Sequence, residues 1–156
     1  MVDTQTPDRI EKQILIKAPR SRVWRAISDA TEFGKWFGAA FEAPFEAGKP
    51  TNGRIVDPPG YEDAPWDMVI ERIETERLFS FRWHPYAINP GQDYTDEPRT
   101  LIEFTLQEVD GGTLLTVVES GFDQVPLERR AEAFRMNEGG WAEQVVRVRD
   151  YVHAHP

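Results

Sequence analysis

The C-terminal stretch Val125–His155 constrains this chain more than any other part, because its pattern fits one long amphipathic helix. Leu127, Ala131, Phe134, Glu138, Trp141, Val145, Val148 and Val152 recur at alternating steps of four and three, the spacing that keeps side chains on one helical face. Pro126 stands where a first-turn proline costs nothing, since its missing N–H would be unpaired anyway. Arg129, Arg130, Glu132, Arg135, Glu143, Arg147, Arg149 and Asp150 fall mainly off that face. Glu138 is the exception: a carboxylate at an apolar position, beside Gly139–Gly140, a pair that weakens or bends a helix by roughly a kcal/mol per glycine. A helix with that interruption is expected to face a cavity rather than a plain core.

The rest of the chain supplies what such a helix must cover. Ile10, Ile14 and Ile16 alternate with polar residues over Ile10–Lys17, a half-buried strand. Pro19 opens a short helix carrying Val23, Trp24 and Ile27. Asp29 and Glu32 have capping-box spacing, so a second short helix starts there, bears Phe33, Trp36 and Phe37, and ends at Gly38. Strands follow at Ala39–Phe45 and Arg54–Asp57, with a turn-rich Ala47–Gly53 between them. Trp66–Glu71 and Leu78–His84 come next, the latter with Phe79, Phe81 and Trp83 on one face. Pro85–Pro98 is longer than a plain hairpin needs, which suggests a rim or lid. Leu101–Val109 and Thr113–Ser120 form a hairpin across Asp110-Gly111-Gly112. The expected fold is α+β: a curved antiparallel sheet of about seven strands wrapped around the last helix, with two short helices after the first strand. Residues 8–155 are expected to form one domain, with 1–7 a disordered segment.

Those residues match a known pattern over about Ile10 to Val152. The chain resembles the activator of heat-shock-protein-90 ATPase homologue-like branch of the SRPBCC (START/birch-pollen-allergen-like) superfamily. The likeness lies in Pro19-x-x-x-Val23-Trp24-x-Ala26-Ile27-Ser28-Asp29, Trp36-Phe37-Gly38 and Arg77-Leu78-Phe79-Ser80-Phe81-Arg82-Trp83. It continues through Gly112-Thr113-Leu114-Leu115-Thr116-Val117-Val118-Glu119-Ser120-Gly121-Phe122 and Gly140-Trp141. The resemblance implies a helix-grip fold with a cavity under the last helix. Its members include co-chaperone domains, stress-response proteins and small-molecule binders, and wider relatives include polyketide cyclases. It brings no catalytic set.

Composition narrows the chemistry further. A net charge of −9 argues against a nucleic-acid partner, and cysteine is absent, which removes thiol nucleophiles, disulfides and cysteine-ligated metal centres. No apolar run reaches the about 20 residues of a membrane span, and Met1–Arg9 is unlike a signal peptide, so a cytoplasmic location is expected. No cofactor or metal motif is present. His84 with Asp93, Asp96 and Glu97 makes at most a weak metal site, and Arg129-Arg130 reads as a solvated pair rather than an anion site. Acidic residues from Glu42 to Glu76 form either a solvated rim or a face for a basic protein.

The expected ligand site is therefore the aromatic set Trp36, Phe37, Trp66, Phe79, Phe81, Trp83, Phe134 and Trp141 with Glu138, the competing role for each aromatic being ordinary core packing. Glu119 is a second carboxylate, near the end of the last strand, where it could instead hydrogen-bond the turn into the helix. The leading function is non-catalytic binding of a small apolar or aromatic, lipid-like molecule. One rival is a co-chaperone-like module with a protein partner. The other is a cyclase or dehydratase using Glu138 or His84 as general acid–base. An exposed Glu138 would take the main support from the first reading and favour the co-chaperone.

Overall fold

The computed structural model describes residues 8–57, 59–61, 67–89 and 91–156. The expectations for residues 1–7 and for Trp66 lie outside the described residues. β1 (Arg9–Ile16) leads into α1 (Arg20–Ser28) and α2 (Ala30–Phe37). Six strands follow: β2 (Ala39–Phe41), β3 (Pro50–Ile55), β4 (Asp67–Glu74), β5 (Leu78–Trp83), β6 (Thr100–Val109) and β7 (Gly112–Ser120). A short 3-10 turn at Phe122–Gln124 then precedes α3 (Leu127–Ala154). The seven strands form one antiparallel sheet in the order β1-β7-β6-β5-β4-β3-β2, curled into a half-barrel around α3. This is the helix-grip fold.

Local chemistry accounts for the junctions. Asp29 caps α2, its Oδ1 accepting from the Glu32 N–H at 2.9 Å. The return half of a capping box is not made. Glu32 turns instead to Arg22, Arg25 and the Tyr151 hydroxyl, and so joins α1, α2 and α3. Burial alone would raise the Glu32 pKa, but the hydrogen bonds from Tyr151, Arg25 and Arg22 outweigh it and hold the carboxyl below its ordinary value. Gly38 ends α2 at φ 91°, in the left-handed region that glycine enters without penalty. A register shift between Ile70 and Arg72 marks a bulge in β4, of the kind that sharpens sheet curl.

Three expectations are corrected. The strand expected over Ala39–Phe45 ends at Phe41. The span read as a turn, Ala47–Gly53, contains most of β3: Pro50–Asn52 pair with Asp67–Val69 despite the proline and glycine. The proline stands at the first position of the strand, where a missing N–H is tolerated. The inner stripe of α3 is also shifted in its first half. Ala133, Trp141, Val145, Val148 and Val152 are buried, whereas Leu127, Ala131 and Glu138 are exposed. With 3.6 residues per turn, the positions three and four before Trp141 fall on opposite sides of its direction. Packing chose the fourth, Asn137, over the third, Glu138.

The core is built on Phe33, whose ring lies 4.6–6.4 Å between centroids from Trp36, Phe37, Phe41, Phe45, Phe79, Phe81 and Phe104. α3 runs unbroken through Gly139–Gly140, and a Cβ at either glycine would meet nothing within 4 Å. Replacing exposed Gly139 by alanine should therefore raise stability by about 0.5–1 kcal/mol, the helix-propensity difference. Thermal melting checks this, and an unchanged or lowered midpoint would show that the glycine is required for something other than space.

Candidate functional site

The position that organises the site is Glu119. In β7 the alternation Thr113, Leu115, Val117, Glu119 puts all four side chains on the buried face of the sheet. Glu119 itself is fully buried. Its Oε1 accepts from the Trp141 indole N–H at 2.8 Å and from Asn137 Nδ2 at 2.9 Å. Its Oε2 accepts from the Trp83 indole N–H at 2.8 Å and the Thr100 hydroxyl at 2.6 Å, with Asn137 Nδ2 at 3.2 Å. One carboxylate thus ties together β5, β6, β7 and α3. The two indoles it holds are stacked, 5.7 Å apart at 25°.

Burial pushes the Glu119 pKa up, while the hydrogen bonds from Thr100, Trp83, Trp141 and Asn137 pull it back without cancelling the rise. Indole and amide N–H groups can only donate. When Glu119 takes a proton, two of these four partners can accept it: the Thr100 hydroxyl beside Oε2, and the Asn137 Oδ1 once that amide turns.

Above this assembly lies a crevice. Its main lobe, about 260 Å³, is lined by Phe37, Ile55, Trp83, His84, Tyr86, Ala87, Ile88, Gln92, Asp93, Tyr94, Thr95 and Asn137. A second lobe of about 110 Å³ continues along α3 between Phe37, Trp83, Asn137, Gly140, Trp141 and Gln144. The long loop between β5 and β6 forms the outer wall, as its length suggested. Arg129 straps it down: the guanidinium donates to Glu97 at 2.6 Å and 2.9 Å and to the Pro85 carbonyl at 2.7 Å, and lies 5.0 Å from the Tyr94 ring centroid. Arg129 is thus a mostly buried tether rather than half of a solvated pair, and Arg130 also bonds chain, at the Val125 and Asp123 carbonyls. Tyr86, in the loop wall, has φ 51°, a conformation that non-glycine residues adopt only when their surroundings enforce it.

The expected residues divide into three groups. Trp83, Phe37 and Trp141 meet at the crevice. Trp36, Phe79 and Phe81 are buried in the aromatic core; the Trp36 indole donates to the Ala26 carbonyl at 2.8 Å. Phe134 packs edge-on against Phe122, 5.1 Å away and outside the crevice lining. Glu138 is solvent-exposed, so the support it was expected to lend the small-molecule reading is gone. The inward carboxylate is Glu119, and it bonds indoles, an amide and a hydroxyl rather than the turn into α3. Its signal was present in the sequence as an acid continuing an apolar period-two face. His84 lines the rim, with Nε2 3.0 Å from the Glu97 carbonyl. Among the described residues, no cluster of His, Asp and Glu is arranged to hold a metal, and no helix is long and apolar enough to cross a membrane.

The family model described as "Activator of Hsp90 ATPase homolog 1-like protein" matches residues 17–153. The chain belongs to this family. Among solved structures, DynU16, a protein in the dynemicin biosynthetic locus, superposes with a TM-score of 0.70 at 25% identity, covering 95% of this chain and 48% of its own. The chain therefore spans about half the length of DynU16. MLL2253 from Mesorhizobium loti gives 0.72 at 17% identity, with 95% and 98% coverage. The Aha1 dimer from Colwellia psychrerythraea gives 0.69 at 14%, with 92% and 95%. These last two share the fold. No curated protein sequence matches the chain significantly.

Glu119→Gln tests the assembly. A glutamine amide must point N–H at one indole N–H or the other donors, so one hydrogen bond is lost and a loss of about 1–3 kcal/mol at neutral pH is expected. The loss should shrink as pH rises. The folded pKa of Glu119 is raised above its ordinary 4.5, so the native state holds the proton more tightly than the unfolded chain. Stability of the parent then falls from about that pH upward until the folded group has ionised, and the glutamine variant lacks this slope. Denaturant titrations of both proteins across pH check it; parallel profiles would show that Glu119 does not titrate differently on folding.

Proposed function

We propose that this family member binds a small aromatic or apolar molecule, without turnover, in the crevice between the β5–β6 loop and α3. The observation that carries the reading is the composition of the wall. Phe37, Ile55, Trp83, Tyr86, Ile88 and Tyr94 line a space of about 260 Å³, more than the roughly 150 Å³ cavity that takes benzene. Two features make that wall rigid: Glu119 holds Trp83 from behind, and Arg129 fixes both ends of the loop. Preorganised walls reduce the ordering cost of binding. This support replaces Glu138. The family and its fold agree with either a ligand-binding or a co-chaperone-like protein, and DynU16, from a biosynthetic locus, favours the small-molecule side.

The second reading, a protein-interaction module of co-chaperone type, draws on the exposure of Glu138 and on the family's description. The cyclase-type rival keeps only His84 of its two named residues near the crevice.

Native mass spectrometry of the purified protein, followed by titration of tryptophan fluorescence with naphthalene, separates these readings. A retained small molecule, or saturable quenching that Ile88→Asp weakens at least about tenfold, is expected, since a carboxylate in an apolar wall opposes an apolar guest. If nothing is retained and naphthalene does not bind, the small-molecule reading falls and the protein-interaction reading takes its place.

A further inference from the structure

The second lobe of the crevice carries two side-chain amides whose orientations are set by what lies behind them. Asn137 turns its Nδ2 to both oxygens of Glu119. Gln144 turns its Nε2 to the Phe37 backbone carbonyl at 3.3 Å. A backbone carbonyl and an ionised carboxylate accept and cannot donate, so the Gln144 amide cannot flip without losing its bond, nor can that of Asn137 while Glu119 carries its charge. Each amide is thereby left with its carbonyl oxygen directed away from its partner. Neither oxygen has a donor among the described residues, and that of Gln144 is buried and unsatisfied. A buried acceptor without a donor is costly to leave so.

Both residues line the same lobe, seven positions apart on α3, with Gly140 between them and Phe37, Trp83 and Trp141 as aromatic walls. Gly140 leaves the lobe open between them, since even a Cβ at that position would meet nothing within 4 Å. The charged chemistry points the same way. Among the described residues no lysine or arginine lines either lobe; Arg147, in the adjoining pocket beside Gln144, is paired with Asp57; and Asp93 on the main rim has its pKa lowered chiefly by hydrogen bonds from Thr95, so it is anionic at neutral pH.

We infer that Asn137 and Gln144 are the specificity-determining residues of the crevice, and that its ligand is an aromatic molecule carrying a hydrogen-bond donor, such as a phenolic hydroxyl, and no anionic group. This rests on the small-molecule reading and deepens it. Asn137 Oδ1 is the reachable acceptor, Gln144 adds a buried oxygen short of a donor, the aromatic walls take the ring, and a carboxylate guest finds no unpaired cation in the lobe. Glu119 acts as a positioning residue: it fixes which end of the Asn137 amide faces the lobe.

The test compares 2-naphthol, 2-methoxynaphthalene and 2-naphthoate by calorimetric or fluorescence titration. Methoxynaphthalene has the ring and the oxygen but no donor. The naphthol is expected to bind roughly three- to tenfold more tightly than the ether, the range of one net hydrogen bond, with naphthoate weakest. Asn137→Leu and Gln144→Leu should lower the naphthol preference while leaving ether binding in place. Glu119→Gln, which can offer either a donor or an acceptor, frees the Asn137 amide to turn and should also lower the preference. Equal binding of naphthol and ether by the parent protein, or naphthoate binding as tightly as naphthol, overturns this inference while the crevice remains a binding site. Failure of all three aromatics together with naphthalene overturns the small-molecule reading itself. The comparison on the parent protein decides the matter even if a variant does not fold.

Discussion

A carboxylate removed from water is the constraint around which this fold is arranged. Stripping Glu119 of solvent costs several kcal/mol, and the donors around it offset only part of that cost. The set is drawn from two strands and one helix: Trp83 from β5, Thr100 at the start of β6, and Asn137 and Trp141 from α3. None of these groups can shift far without leaving the carboxylate short of a bond. The position of α3 along the sheet is therefore specified more sharply than hydrophobic burial alone, which is non-directional, would specify it.

The other structural carboxylate works by the opposite balance. Glu32 sits near the surface between Arg22, Arg25 and Tyr151, and its pKa is held below the ordinary value. Its stabilisation is present above the ordinary carboxylate pKa and is lost as pH falls through the lowered one. Glu119, raised, stabilises most when protonated, and that contribution is lost as pH rises. Two glutamates, one bonded to the middle of α3 and the other near its C-terminus, thus set opposite limits, and between them they favour a middle pH.

The architecture was legible in the sequence because each element carried its own local signal. Strands β1, β5, β6 and β7, the Asp29 cap, the Asp110-Gly111-Gly112 turn and the apolar second half of α3 agree with their local patterns. What failed were choices that only tertiary packing makes. Glu138 and Asn137 are adjacent, and the periodicity of the helix admits either at the inner face; the deciding fact is that Asn137 can donate to Glu119 and Glu138 cannot. Phe79 and Phe81 were assigned to the cavity together with Trp83, because alternation places all three on one face. The sequence pattern did not show that the face is filled by Phe33 and Phe45 at one end and opens at the other. The role of Arg129 was hidden for a similar reason: its partners lie in a loop with no periodicity to align it.

The location of the crevice follows from how α2 ends. Gly38 turns left-handed immediately after Phe37, and its N–H returns to the Gly34 carbonyl. The Gly38 carbonyl accepts from Val56 and Asp57, and a Cβ at Gly38 would stand 2.4 Å from the Asp57 carbonyl oxygen. Only glycine lets the helix end and the chain after β3 approach so closely. That approach seats Phe37 in both lobes, with its ring 6.0 Å from Trp83 and 6.2 Å from Trp141 and its carbonyl on Gln144. Glu119 holds the same two indoles from below. The crevice is the space left between two rigid constraints, a glycine turn on one side and a buried carboxylate on the other. Its shape is therefore set by the fold rather than by whatever enters it, and a guest finds the aromatic walls already in place.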